Sequence, residues 1–246
     1  MKDFVQRIIT ILIASTIGIF LITYYPMVFF AIGIFFIYGE LLYCLYKGNK
    51  LTHFDSSLIL PMCIFYLYSV PIGSWIPILF SEEPRKVFPY YVIGVLWTYP
   101  TIYLSYNYVQ SDPVLFIVIT TIIWFSDGGA YIFGKLLGKN KLAPTISPNK
   151  TIEGAIGGVL TSTVVAYLIS FCYFKISTYD LIMLGLLYGI FGNIGDLVES
   201  KFKRWVGVKD SGFLMGNSGG VLDKTDSLFF AIPIGHIYLL FRDIRL

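Results

Sequence analysis

Eight apolar runs, most of them long enough to cross a bilayer, follow one another along this chain, and nothing else in the sequence constrains its fold so strongly. They fall at 8–23, 27–46, 58–80, 90–109, 114–134, 154–174, 180–198 and 226–241. A helix needs about 20 largely apolar residues to span hydrocarbon. In lipid every backbone N–H and C=O must find a partner inside a helix or a closed barrel. Runs of this length, without strand-like alternation, predict helices. The expected fold class is all-α: a polytopic integral membrane protein with about eight transmembrane helices and two long polar loops. Composition agrees. Of 246 residues, 56% are hydrophobic and 13% charged, against roughly 25% charged in a soluble domain. A soluble core could not hide this much apolar surface, and the low charge excludes a nucleic-acid-binding or disordered chain.

The start, Met1-Lys2-Asp3-Phe4-Val5-Gln6-Arg7 before an apolar run, has the form of a signal peptide, but the run ends at Tyr24-Tyr25-Pro26 without a small-x-small cleavage site, which predicts a retained first span. Cys44, Cys63 and Cys172 lie singly in apolar stretches, so neither a zinc site nor a disulfide framework is expected. His53 and His236 have no partner at metal-ligand spacing and read as structural. The chain is expected to form one integral domain over 1–246, with N-terminal spans in 1–110 and catalytic helices and loops in 111–246.

The two long loops, 135–153 and 199–225, flank two spans and so emerge on one face. Two further crossings bring Arg85 and Lys86 to the same side. That face collects 11 of the 18 basic residues: Arg85, Lys86, Lys135, Lys139, Lys141, Lys150, Lys201, Lys203, Arg204, Lys209 and Lys224. The positive-inside bias makes it cytoplasmic. Eight full spans would leave Lys2, Arg7, Lys47 and Lys50 on the other side. Either the N-terminus is external, or one early segment is re-entrant, with 58–80 the candidate because Pro71 and Pro77 interrupt it.

Charge is concentrated between residues 196 and 226. Asp196/Glu199 and Asp223/Asp226 each have i,i+3 spacing, which puts both carboxylates of a pair on one helix face. Each pair lies at the end of an apolar run, where an ionised carboxylate is costly without a partner. Carboxylates together with substrate phosphate oxygens hold hard divalent cations such as Mg²⁺. Lys203, Arg204 and Lys209 between the pairs are phosphate donors, and Gly216, Gly219 and Gly220 permit close backbone approach. The set suggests a nucleotide-phosphate site. Asp127, followed by Gly128 and Gly129 inside an apolar run, is an intramembrane acid and a functional candidate. Lys150-Thr151 has the ending of a Walker A loop without its upstream glycines, so that reading fails. Gly154 and Gly158 form a small-xxx-small pair suited to close helix packing.

Three segments together resemble the phosphatidate cytidylyltransferase (CDP-diacylglycerol synthase) family. They are Asp127-x-x-Ala130-Tyr131-x-x-Gly134-Lys135, Ser147-Pro148-x-Lys150-Thr151-x-x-Gly154, and Gly195-Asp196-Leu197-x-Glu199-Ser200 running on to Asp226. The likeness covers about residues 120–242. It departs from the family pattern at Ser218, where relatives have His, at Met215-Gly216, where they have a turn former such as Pro, and at Lys224, where Asp-Arg-x-Asp becomes Asp-Lys-x-Asp. The resemblance implies transfer of CMP from CTP to phosphatidate, giving CDP-diacylglycerol and pyrophosphate, in phospholipid biosynthesis. It implies a bacterial inner membrane with the site facing the cytoplasm, and it leaves a homodimer open. Mg²⁺, with room for a second metal ion, would lie on Asp196, Glu199, Asp223 and Asp226. Lys209 and Asp127 join Asp196, Asp223 and Asp226 as catalytic candidates. Ser147, Lys150, Thr151, Lys203, Arg204, Ser218, Gly219, Gly220 and Lys224 would bind substrate. A CTP-dependent polyprenol or phytol kinase is the alternative enzyme. A transporter coupled through Asp127 is the alternative of another class, although the paired broken helices expected of one are not visible.

Overall fold

A computed structural model describes residues 20–47, 84–209, 211 and 220–244. The expected span at 58–80, most of that at 8–23, Cys63, His53, Ser218 and Gly219 lie outside them. Six long helices are described: α1 (Pro26–Lys47), α2 (Pro84–Ser111), α3 (Pro113–Leu137), α4 (Ile152–Ile169), α5 (Thr178–Val206) and α6 (Leu222–Phe241). Among the described residues α3, α4 and α5 are long and apolar enough to cross a membrane.

Local chemistry sets several helix ends. Pro113 opens α3 with φ fixed and no N–H to satisfy. Asp112 before it accepts from the N–H groups of Val114 and Leu115 at 3.1 and 3.2 Å. Thr151 caps α4, accepting from Gly154 N–H at 3.2 Å, and Ser177 caps α5, accepting from Asp180 N–H at 3.1 Å. α5 stops at Gly207, whose φ of 94° suits glycine.

Side-chain contacts give the helix directions. Asp180 on α5 meets Tyr238 on α6 at 2.7 Å, and Lys203 meets Asp223 at 2.6 Å, so the two helices run antiparallel. Thr101 bonds to the Phe229 carbonyl and Tyr108 to His236, so α2 runs parallel to α6. Glu40 near the end of α1 bonds to Val221 and Leu222 at the start of α6. The C-terminal ends of α1, α3 and α5 therefore gather with the N-terminal ends of α2, α4 and α6. At the far end Asp112 accepts from Lys175 and Tyr173 at 2.7 and 2.8 Å, and Arg242 joins Tyr238 on Asp180. Burial alone would push the Asp112 carboxyl up, but the bonds from Lys175, Tyr173 and Leu115 N–H outweigh it and hold the group below the usual carboxylate range.

The predominantly helical fold is as expected, and the structure adjusts the sequence reading in three places. First, the first long loop contains an antiparallel hairpin, β1 (Lys141–Ala143) with β2 (Ser147–Thr151). The Glu153 carboxylate fixes its base by accepting from the N–H groups of Lys139 and Asn140. Secondly, the expected start of the second loop at 199 is wrong: α5 continues to Val206, while the helix expected to reach 174 ends at Ile169. Charge ends an apolar run, but Glu199 and Lys203 at i,i+4 favour helix. The break expected around Tyr24-Tyr25-Pro26 is present: Tyr25 is non-helical, donating to Leu21 O at 2.8 Å and accepting from Phe29 N–H at 3.1 Å, and α1 begins at Pro26. Finally, Lys47 ends α1 at the same end as the two long loops, the reverse of what eight successive full spans require of it.

α3 and α4 pack closely through glycine, as expected. A Cβ on Gly154 would stand 2.7 Å from the Ala130 carbonyl oxygen, and one on Gly158 would stand 2.9 Å from that of Ser126. Without a hydrophobic drive between helices in lipid, such contacts carry much of the association. Gly158→Val is therefore expected to cost about 1–3 kcal/mol by overpacking. Gly33→Ala, where a Cβ meets nothing within 4 Å, serves as control. A lowered thermal midpoint in detergent for the first and not the second is the expected result.

Candidate active site

The antiparallel register of α5 and α6 sorts the four signature acids across helices instead of along them. Moving three residues toward the loop end on α5 matches moving three residues back on α6. Asp196 therefore faces Asp226, and Glu199 faces Asp223, with Lys203 between the second two and the charge of Asp196 acting on Asp226. Two layers result, one deeper in the bundle and one nearer its end. Gly195 permits this closeness: a Cβ there would stand 2.6 Å from the Asp226 carbonyl oxygen.

The outer layer shares one internal cation between two acids. Lys203 Nζ lies 2.5 Å from Glu199 Oε2 and 2.6 Å from Asp223 Oδ1. Glu199 is completely buried, and neither of its oxygens has a well-aligned hydrogen bond, so its contact with Lys203 is an ion pair. Asp223 has more partners. Its Oδ2 accepts from Gly220 N–H at 2.7 Å and Ser211 N–H at 3.2 Å.

The inner layer holds three carboxylates and one ammonium. Asp127 on α3 accepts from Ser227 Oγ at 2.9 Å, and Ser227 N–H donates to Asp226 at 2.8 Å. The charges of Asp127, Asp196 and Glu199 all act on Asp226. Lys150 reaches in from β2 to within 2.5 Å of Asp196 Oδ2. Three carboxylates thus meet a single ammonium, and Asp196 and Asp226 offer facing hard oxygen donors. That donor set fits a Mg²⁺-type cation, which is commonly held by one or two carboxylates plus substrate phosphates. Among the described residues no group of three or more His, Cys, Asp or Glu is arranged to hold a metal ion, so further ligands would come from substrate or water.

The remaining candidates are spread around this centre. Arg204 is exposed and bonds to the carbonyls of Ile146 and Val208, both at 3.4 Å, linking the hairpin to the end of α5. Lys209 and Lys224 are exposed at the same end. Ser147 is half-buried in β2, while Thr151 is buried and engaged as the α4 cap. The three segments singled out in the sequence thus meet at one place: Asp127 from α3, Lys150 from the hairpin, and the acids of α5 and α6.

The profile of the Cytidylyltransferase family matches residues 2–242. The chain belongs to that family. It is also similar to curated phosphatidate cytidylyltransferases from Staphylococcus haemolyticus (44% identical), Staphylococcus saprophyticus and Staphylococcus aureus (both 43%). Each match runs over 153 residues, which is 61% of this chain and 56% of the relative, so the chain spans a little over half the length of the curated relatives it matches.

Sequence reasoning missed one buried acid beside these residues. Glu40, on α1 and only 4% exposed, accepts from Val221 N–H at 2.8 Å, Leu222 N–H at 2.7 Å and Ser211 Oγ at 3.3 Å. Beside it Cys44 Sγ–H donates to the Ser211 carbonyl at 3.3 Å, so this thiol is packed, as expected. The available signal was an acid inside the apolar run 27–46, which the rule applied to Asp127 would have singled out.

Proposed function

We propose that this chain transfers the cytidylyl group of CTP to phosphatidate, releasing pyrophosphate. The observation that carries the reading is the convergence of Asp127, Lys150, Asp196 and Asp226, from three separate segments, on one acidic centre at the end of the bundle. Family membership and the relatives named phosphatidate cytidylyltransferase support it.

In this reaction an oxygen of the lipid phosphate attacks the α-phosphorus of CTP. The bond from that phosphorus to the oxygen bridging the β-phosphate breaks, and pyrophosphate leaves with the electron pair. The nucleophile is already anionic, so the residues need not act as a base; alignment and charge are what the reaction lacks. Asp196 and Asp226 would hold a Mg²⁺ ion, with Asp127 beside them and Glu199 and Asp223 as the outer pair, and room for a second ion is part of the proposal. That metal would supply charge against the phosphate oxygens. Lys150 would turn from Asp196 to a substrate phosphate. Arg204, Lys209 and Lys224 at the rim would receive the remaining phosphate charge, while Lys203 stays with its two acids. Ser147, Thr151, Ser218, Gly219 and Gly220 keep the substrate-binding role that the family pattern implies. The bundle would sit in the bilayer with its loop end facing the cytoplasm, because cations concentrate there. Soluble CTP and embedded lipid then meet at the boundary, and a homodimer is compatible with this placement.

The test is incubation of purified protein with labelled CTP, Mg²⁺ and phosphatidate. Label is expected to enter the lipid phase, with one pyrophosphate released per lipid formed. Release of CDP with a phosphorylated lipid alcohol would replace this reading with the kinase. Solute flux without CTP turnover would replace it with the transporter.

A further inference from the structure

We propose that Glu40 is a positioning residue of the reaction, contributed by a helix outside the family's signature segments. This rests on the activity proposed above.

α6 starts without a cap of its own, since Val221 makes no side-chain bond to the first turn. The first N–H groups of a helix need acceptors, and here they find one on another helix. The two oxygens of Glu40 take the N–H groups of Val221 and Leu222, and Ser211 Oγ adds a third donor. One buried carboxylate thus ties Ser211 to the first turn of α6. The same two stretches supply the N–H groups of Gly220 and Ser211 that hold Asp223 Oδ2. Glu40 therefore fixes the frame that holds Asp223, and with it the register in which Asp223 and Asp226 face Glu199 and Asp196. Gly220 completes the argument, because a Cβ there would overlap the Glu40 carboxylate. The absent side chain at 220 is the room Glu40 occupies.

A shift of about 1 Å in aligned groups costs on the order of 100-fold in rate. Glu40→Ala is therefore expected to lower kcat by about 30- to 100-fold, with KM for CTP and phosphatidate within about threefold of wild type. Glu40→Gln keeps one carbonyl acceptor and is expected to fall between Ala and wild type. Gly220→Ala should lower kcat by a similar factor alone, yet add less than about threefold in the Glu40→Ala background, because the two changes disturb one contact. A readout independent of turnover uses Cys44, with Cys63 and Cys172 replaced by Ser. Once Ser211 is untethered, Cys44 is expected to react with a thiol reagent about tenfold faster in Glu40→Ala or Glu40→Gln than in the parent. Folded Glu40→Ala or Glu40→Gln protein with wild-type kcat would overturn the proposal. So would additive losses in the Gly220→Ala pair, or an unchanged Cys44 labelling rate. Should the wild type make no CDP-lipid at all, the activity reading falls by itself, and the labelling rate still decides whether Glu40 holds this frame.

Discussion

Asp223→Asn is expected to lower turnover by two to three orders of magnitude, about 3–4 kcal/mol of transition-state stabilisation, while leaving the protein inserted and folded. Asp223 uses both oxygens as acceptors, Oδ1 toward Lys203 and Oδ2 toward Gly220 N–H and Ser211 N–H. An amide has only one acceptor oxygen. Placed toward the backbone, its NH₂ faces the Lys203 ammonium. Placed the other way, it faces two N–H donors. Either orientation opposes donor to donor, and the charge that complements Lys203 is lost in both. The frame that sets Asp226 against Asp196 loosens as a result. Steady-state rates of labelled lipid formation, compared with the variant's yield and elution profile in detergent, check this. A rate within about threefold of wild type would refute the role given to Asp223.

The second large effect is on stability. Lys203→Met is expected to cost about 3–5 kcal/mol, the usual loss when one partner of a buried ion pair is removed. Lys203 is the only ion-pair partner found for both Glu199, fully buried, and Asp223 among the described residues. Methionine fills similar space but strands two facing carboxylates without their shared cation. The double variant Lys203→Met/Glu199→Gln removes the most deeply buried of these charges and should recover more than half of the loss. Thermal midpoints in detergent measure both. If Lys203→Met matches wild type, or the double variant is no better than the single, the outer layer does not depend on this ammonium.

The helices were legible in the sequence because lipid demands long apolar runs, and those runs located α1, α3, α4, α5 and α6 to within a few residues over much of their length. Their ends were harder. An apolar criterion stops at Glu199, whereas the backbone of α5 continues because helical hydrogen bonding does not depend on the polarity of side chains. The hairpin at 141–151 was hidden because strands of three and five residues carry too little periodicity to register. For the site, spacing within each acidic pair was visible, and so was the intramembrane Asp127. The pairing of Asp196 with Asp226 and of Glu199 with Asp223 was not visible, since it depends on how two helices slide past each other. Glu40 was passed over for a similar reason: its donors lie more than 170 residues away along the chain.

The mirrored three-residue spacing on α5 and α6 has a consequence for how a chain of this kind tolerates change. Exchanging one residue for another alters the strength of a contact, and Lys224 or Ser218 in place of the family's usual residues are changes of that sort. Inserting or deleting a single residue between Asp196 and Glu199, or between Asp223 and Asp226, is different. It would swing one acid about 100° around its helix and move it about 1.5 Å along the axis, so that one layer could form only by dismantling the other. Sequence length in these two stretches is therefore more tightly bound to function than sequence identity at most positions within them.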